Sequence, residues 1–239
     1  MKFIAHRGYS KCHPENTIEA FDAALKHPNL GSSIIGIELD IQMTSDRKII
    51  VFHDGFVNDV NGNARKLCDM KYAEIADAFA VKTGGAKVCT FGEVIDLVGH
   101  KTALYVEIKD GDYDKDIFYP KLASLLDSYA PRNDIVIHSF SAAAMSRAMQ
   151  CIRHLDVEYG FLFSDISSIS GLPSEVLKSL DYLHPCHEIL LKEHGAIRDF
   201  KRPINVWTVN DRKILAEISN LPRQDLVRAV ITDDLELAG

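Results

Sequence analysis

The stretch "IELDIQMTSDRKIIVFHD", residues 37–54, decides the fold. It holds two β-like runs, at 34–42 and 49–53, separated only by polar residues 45–48. Parallel neighbours need a crossover of a dozen or more residues, so this short connection implies an antiparallel hairpin. The expected register sets Thr44 against Ile49, Gln42 against Val51 and Asp40 against His53. Further strand-like runs lie near 3–6, 103–109, 134–139, 156–163, 180–184, 203–208 and 228–232. Helical spacing separates them, as in Ile18, Phe21, Ala24 and Leu25, or Phe91, Val94, Ile95 and Val98 behind a Thr90/Glu93 capping box. Other helices are expected near 120–129, 141–153, 174–180, 187–194 and 211–219. With the hairpin counted as an extension of strand two, eight parallel strands remain. The fold class is therefore α/β, a (β/α)8 TIM barrel with a small insertion after strand two. The chain, 1–239, reads as one such domain.

The insertion covers about 54–89. It is polar, turn-rich at Asn61-Gly62, and longer than an ordinary barrel loop. It is expected above the C-terminal rim, as a pocket cover or as a solvated excursion.

Along strand two, Glu38 and Asp40 share a face, ~6–7 Å apart along the backbone, while Ile37, Leu39 and Ile41 face the covering helices. In "ALYVEIKD", Tyr105, Glu107 and Lys109 share a face in the same way. Inward carboxylates are costly unless paired or bound to a cation. Glu38, Asp40 and Glu107 thus suit one divalent ion, Mg²⁺ or Ca²⁺, with Mn²⁺ also compatible. The alternative is that they pair with Lys109 and Arg7 and bind nothing. His6 ends strand one and His53 ends the hairpin return, so each is a candidate general acid or base. Arg7 is a candidate phosphate clamp or a structural partner of Glu38, and Lys109 a second neutraliser of phosphate charge. In "HPENT", Asn16 or Thr17 caps the first helix, and Glu15 is expected within reach of His6 or Arg7.

The formal net charge of −7 argues against a broad nucleic-acid surface. No apolar run reaches the ~20 residues of a membrane span. The opening residues do not read as a signal peptide, and the five cysteines lack C-x-x-C spacing. A cytoplasmic protein with a small-molecule substrate and no stable membrane insertion is expected; the oligomeric state stays open.

The segments "AHRG", "PENT", "ELDIQMTSD", "VFHD", "VEIK", "SFS", "VWTVND" and "ITDD" occur in the order seen in glycerophosphodiester phosphodiesterases, from residue 5 to about 234. The chain resembles that family. The resemblance implies a barrel with an insertion after strand two, metal ligands Glu38, Asp40 and Glu107, acid and base His6 and His53, and phosphate contacts from Arg7 and Lys109. It implies metal-dependent hydrolysis of glycerophosphodiesters to glycerol 3-phosphate and an alcohol. Alternatives are a lysophospholipase D or sphingomyelinase D-like enzyme on the same barrel, or an inactive phosphodiester-binding barrel. Many relatives carry an Arg-Thr-Thr stretch where "VNDVNGNARKL" stands, which leaves the headgroup preference open. Trp207, the single tryptophan, is expected at the end of strand seven as an aromatic floor, with Phe140 and Phe163 as further candidates. In "LHPCHEILLKEH", His184 is expected either to line the pocket or to join Cys186, His187 and His194 around zinc, although the spacing matches no closed zinc motif.

Overall fold

The computed structural model describes residues 1–128, 135–222 and 224–239. In chain order the elements are β1 (Lys2–Ala5), α1 (Ile18–Leu25), β2 (Ile34–Met43), β3 (Ile49–Val51), β4 (Phe56–Asn58), β5 (Ala64–Lys66), α2 (Tyr72–Thr83), α3 (Phe91–Val98), β6 (Ala103–Ile108) and α4 (Lys115–Ser128). They continue with β7 (Ile135–Ser139), α5 (Ala142–Ile152), β8 (Glu158–Phe163), α6 (Ile166–Ser170), α7 (Ser174–Ser179), β9 (Tyr182–Pro185), α8 (His187–Arg198), β10 (Ile204–Val206), α9 (Arg212–Ser219) and β11 (Val227–Thr232). The expected strand start at 134 and helix end at 129 lie outside the described residues.

The strands β1, β2, β6, β7, β8, β9, β10 and β11 pair in parallel, and β11 returns to β1. This closed (β/α)8 barrel is the one the alternating pattern implies. Its outer layer packs Ile37, Leu39, Ile41, Val106 and Ile108 against helix residues such as Phe21, Phe91 and Val94. Inside the barrel, Ile4, Tyr105, Val136, Tyr182, Ala229 and Ile231 form a separate apolar plug. Glu38, Asp40 and Glu107 share the inward strand face, which makes the period-2 reading correct for both carboxylate strands.

The hairpin exists, but its register is one residue from expectation. Ile41 pairs with Val51, Gln42 with Ile50 and Met43 with Ile49. The cause is the turn. Thr44 N–H donates to the Lys48 carbonyl at 3.0 Å, and Arg47 takes a left-handed φ of 63°. The loop therefore holds three residues and ends on a left-handed one, a common hairpin solution, rather than the four assumed. Phe52, not His53, lies opposite Asp40, with its N–H 2.9 Å from the Asp40 carbonyl.

The segment after β3 has more structure than its polar composition suggests. β4 and β5 form a hairpin whose turn is held by Asp59 and by Gly62 at φ 84°. The helix α2 was not expected. Its apolar face is only Ile75, Ala78 and Phe79. They join Ile50, Phe52, Val57, Leu67, Met70 and Val88 in a second apolar cluster apart from the main one. No helix among the described residues is long and apolar enough to cross a membrane.

Candidate active site

The site gathers at the C-terminal ends of the strands, where barrels of this type concentrate their polar side chains. It is a cavity of about 100 Å³ lined by His6, Arg7, Glu38, His53, Glu107 and Lys109, together with His138 and an apolar wall of Phe140, Leu162 and Trp207.

Its floor is anionic. Glu38, Asp40 and Glu107 are buried and each offers an oxygen within 4.8 Å of the others. Lys109 Nζ bridges Asp40 Oδ1 at 2.9 Å and Glu107 Oε1 at 2.6 Å. Arg7 Nε lies 3.2 Å from Asp40 Oδ2, while its Nη1 meets both Glu15 oxygens at 3.0 and 2.9 Å. The Asn16 side-chain amide donates to Asp40 Oδ2 at 2.8 Å. Three carboxylates thus face two fixed cations. Burial pushes Glu38 well above the usual carboxylate range; Asp40 and Glu107 push it further, against Arg7 and Lys109. Burial followed by the Asp40 charge lifts Glu107 to about 7, with Lys109 opposing. Burial would also lift Asp40, but Lys109 and Arg7 hold it well below its ordinary value. The pairing with Lys109 and Arg7 is real, yet it leaves one negative charge in excess and two carboxyls reluctant to ionise. Asp40 Oδ1 makes no well-directed hydrogen bond, although Lys109 is close. An all-oxygen, over-negative trio of this kind can hold a hard divalent cation.

The backbone that delivers Arg7 is unusual. Arg7 has φ 55° and Gly8 φ 82°, so the chain reverses sharply after β1. A Cβ on Gly8 would lie 2.6 Å from the Ala20 carbonyl carbon, so glycine is needed for the close approach to α1. Thr17, rather than Asn16, caps that helix, its Oγ1 accepting from Ala20 N–H. This frees Asn16 to reach Asp40.

The two histidines differ in setting. His6 Nδ1 is 2.6 Å from Asp233 Oδ1, and its Nε2 is 3.9 Å from Glu38 Oε2. Ser10 Oγ and Asn210 Nδ2 also donate to Asp233, at 2.8 and 2.6 Å. Burial would raise Asp233, but the His6 bond and these two donors hold it down to about 2. His53, 36% exposed, bonds Asp54 Oδ1 through Nδ1 at 2.9 Å.

The structure brings His6, Arg7, Glu15, Glu38, Asp40, His53, Glu107, Lys109 and Trp207 to one end of the barrel. Glu15 touches Arg7 rather than His6. Trp207 lies just past β10, donates from Nε1 to the His184 carbonyl at 2.6 Å, and meets the Phe140 ring edge-on. Two expectations are corrected. Phe163 points outward and is buried among the helices, because odd positions of β8 face that layer; Leu162 lines the cavity instead. His184 is fully buried below the cavity and lines none of it. Among the described residues the metal-compatible group is Glu38, Asp40 and Glu107, not the 184–194 cluster. Sequence reasoning missed His138 and Asp233. The alternation in "IVIHS" turns His138 inward with Val136, and Asp233 directly follows the last strand; both signals were available.

These features define an acid-floored (β/α)8 barrel with two histidines and two cations at one mouth. The profile of the glycerophosphoryl diester phosphodiesterase family matches residues 6–237, and the chain belongs to that family. An uncharacterized protein of Mycoplasma genitalium is 30% identical over 91% of this chain and 94% of its own length. A glycerophosphodiester phosphodiesterase of Bacillus altitudinis is 26% identical over 92% of this chain and 91% of its own. The crystal structure of the Thermotoga maritima glycerophosphodiester phosphodiesterase superposes with TM-score 0.72 at 27% identity, covering 98% of this chain and 95% of that one. An Oleispira antarctica phosphodiesterase, solved with the product sn-glycerol 3-phosphate, gives TM-score 0.77 at 21% identity, covering 98% and 93%.

Proposed function

We propose that this cavity hydrolyses glycerophosphodiesters, the deacylated phospholipids, to glycerol 3-phosphate and an alcohol in a reaction that requires one divalent ion, Mg²⁺, Ca²⁺ or Mn²⁺. The observation that carries the proposal is one small cavity lined by His6, His53, Arg7, Lys109, Glu38 and Glu107, with Asp40 buried against the two carboxylates to complete the trio. Family membership and the product bound to the Oleispira antarctica relative support the substrate class.

Glu38, Asp40 and Glu107 would hold the ion, which supplies Lewis-acid polarisation of a phosphoryl oxygen. Arg7 is pre-oriented by Asp40 and Glu15 and, with Lys109, binds the phosphate. His6, aligned by Asp233, and His53, aligned by Asp54, act as the acid–base pair. One takes the proton of the attacking hydroxyl: water gives glycerol 3-phosphate directly, whereas the glycerol 2-hydroxyl gives a cyclic phosphate that a water then opens. The other protonates the departing alcohol. Trp207 and Phe140 form an apolar wall for the glycerol or a quaternary headgroup. A single barrel domain with its 54–89 insertion at the rim, in the cytoplasm, is part of the same reading; all five cysteines are free thiols.

The test is release of the headgroup alcohol from a panel of glycerophosphocholine, glycerophosphoethanolamine and lysophospholipids with each ion, with glycerol 3-phosphate measured as the second product of the two deacylated substrates. His6→Ala and His53→Ala are each expected to lower kcat by ~10²–10⁴-fold. Near-wild-type turnover by either variant removes its assigned role, and turnover restricted to lysolipids replaces the substrate class.

A further inference from the structure

Beneath the carboxylates, three polar side chains almost wholly shielded from solvent form a chain. His138 Nδ1 lies 2.8 Å from His184 Nδ1, and His184 Nε2 lies 3.0 Å from the Asn205 side-chain amide. At the other end, His138 Nε2 has no hydrogen-bond partner and faces Glu38 Oε1 at 3.7 Å. The slot is built for these rings. A Cβ on Gly160 would fall 2.7 Å from His184 Cε1, and the rings of Tyr105 and Tyr182 flank His184 at 6.3 and 6.1 Å.

A contact of 2.8 Å between two ring nitrogens holds one hydrogen, and a neutral imidazole carries a single N–H. Two arrangements remain. In one, Asn205 donates to His184 Nε2, His184 Nδ1–H donates to His138 Nδ1, and His138 Nε2–H faces Glu38. In the other, the amide is turned, every bond reverses, and a bare His138 nitrogen faces a carboxylate. With Glu38 ionised, as a metal ligand must be, that sets a lone pair against an anion, a buried mismatch that the first arrangement avoids.

We infer that Asn205, His184 and His138 form a positioning relay that fixes the His138 tautomer, presents Nε2–H to Glu38 Oε1 and so orients that carboxylate for a divalent ion. The inference rests on the proposed function only in taking Glu38 as a ligand. Outer partners of this kind alter metal affinity by roughly 10–100-fold.

Two measurements test it. Long-range ¹H–¹⁵N NMR of ¹⁵N-histidine-labelled protein reads the tautomers directly: a protonated Nδ1 on His184 and a protonated Nε2 on His138 are expected. A bare His138 Nε2 overturns the relay whatever the metal does. Calorimetric titration with Mn²⁺ reads the consequence. His138→Leu and Asn205→Leu are expected to weaken binding by roughly 10–100-fold, whereas His138→Gln, whose amide replaces the ring N–H, stays within about three-fold. Thermal unfolding verifies that each variant is folded. Unchanged affinity in a folded Leu variant, or equal loss in the Gln and Leu variants, refutes the positioning role. Absence of Mn²⁺ binding by the wild type instead refutes Glu38 as a ligand, and the NMR result still decides the relay.

Discussion

Glu107→Gln should change how stability depends on pH, in a direction fixed by the carboxylate floor. Glu107 titrates near 7 in the folded protein against an ordinary 4.5. At ~1.4 kcal/mol per pH unit, the gap is on the order of 3 kcal/mol. The folded protein binds this proton more tightly than the unfolded chain does. The contribution is therefore fully present below pH 4.5 and is lost as pH rises through 7. The substituted amide keeps an oxygen for Lys109 and carries no titrating proton. Metal-free wild type should thus lose about 3 kcal/mol relative to the variant across this window, or roughly 6–12 °C in Tm for a chain of this size. A divalent ion reverses the loss at high pH. At 100 times its Kd it adds about 2.7 kcal/mol to wild type, and less to the variant. Circular-dichroism melts of both proteins at pH 5, 6, 7 and 8, with chelator or with Mn²⁺, make the comparison. Parallel stability curves for the two metal-free proteins, or equal metal shifts, would refute the reasoning.

Asp233→Asn should lower kcat by roughly 10–10²-fold with little change in KM, since His6 loses the anion that fixes its tautomer and steadies its protonated form while substrate contacts stay; an unchanged kcat would separate Asp233 from the chemistry. Gly8→Ala should destabilise by about 2–3 kcal/mol in urea melts, because φ 82° and a 2.6 Å approach to Ala20 act together; a wild-type midpoint would deny the need for glycine. Exhaustive chelation should abolish hydrolysis and Mn²⁺ or Mg²⁺ restore it, and persistent activity would end the metal assignment.

Most of the barrel was legible because its signals are local. Period-2 alternation in "IELDI" and "LYVEI" sets the carboxylates on one face, and the short 45–48 link rules out a crossover. What was not legible depends on single dihedrals or distant partners. The hairpin register turned on the left-handed Arg47, a residue with no compositional mark. Helix α2 carries an apolar face too narrow to announce itself, and gains its stability from Phe52 and Val57 outside it. His6 and Asp233 are 227 positions apart and meet only because the barrel closes β11 onto β1.

The second apolar cluster is rooted in Ile50 and Phe52, on the same short return that ends at His53. One imidazole thus follows a short edge strand that packs one face on the main core and the other on the second cluster, while the carboxylates and His6 ride on the staves of the barrel. Under the proposed mechanism, changes in that second cluster would shift His53 against different alcohols while Glu38, Asp40 and Glu107 keep their places on the barrel strands. Headgroup choice and the charged centre would then be two separable targets of selection.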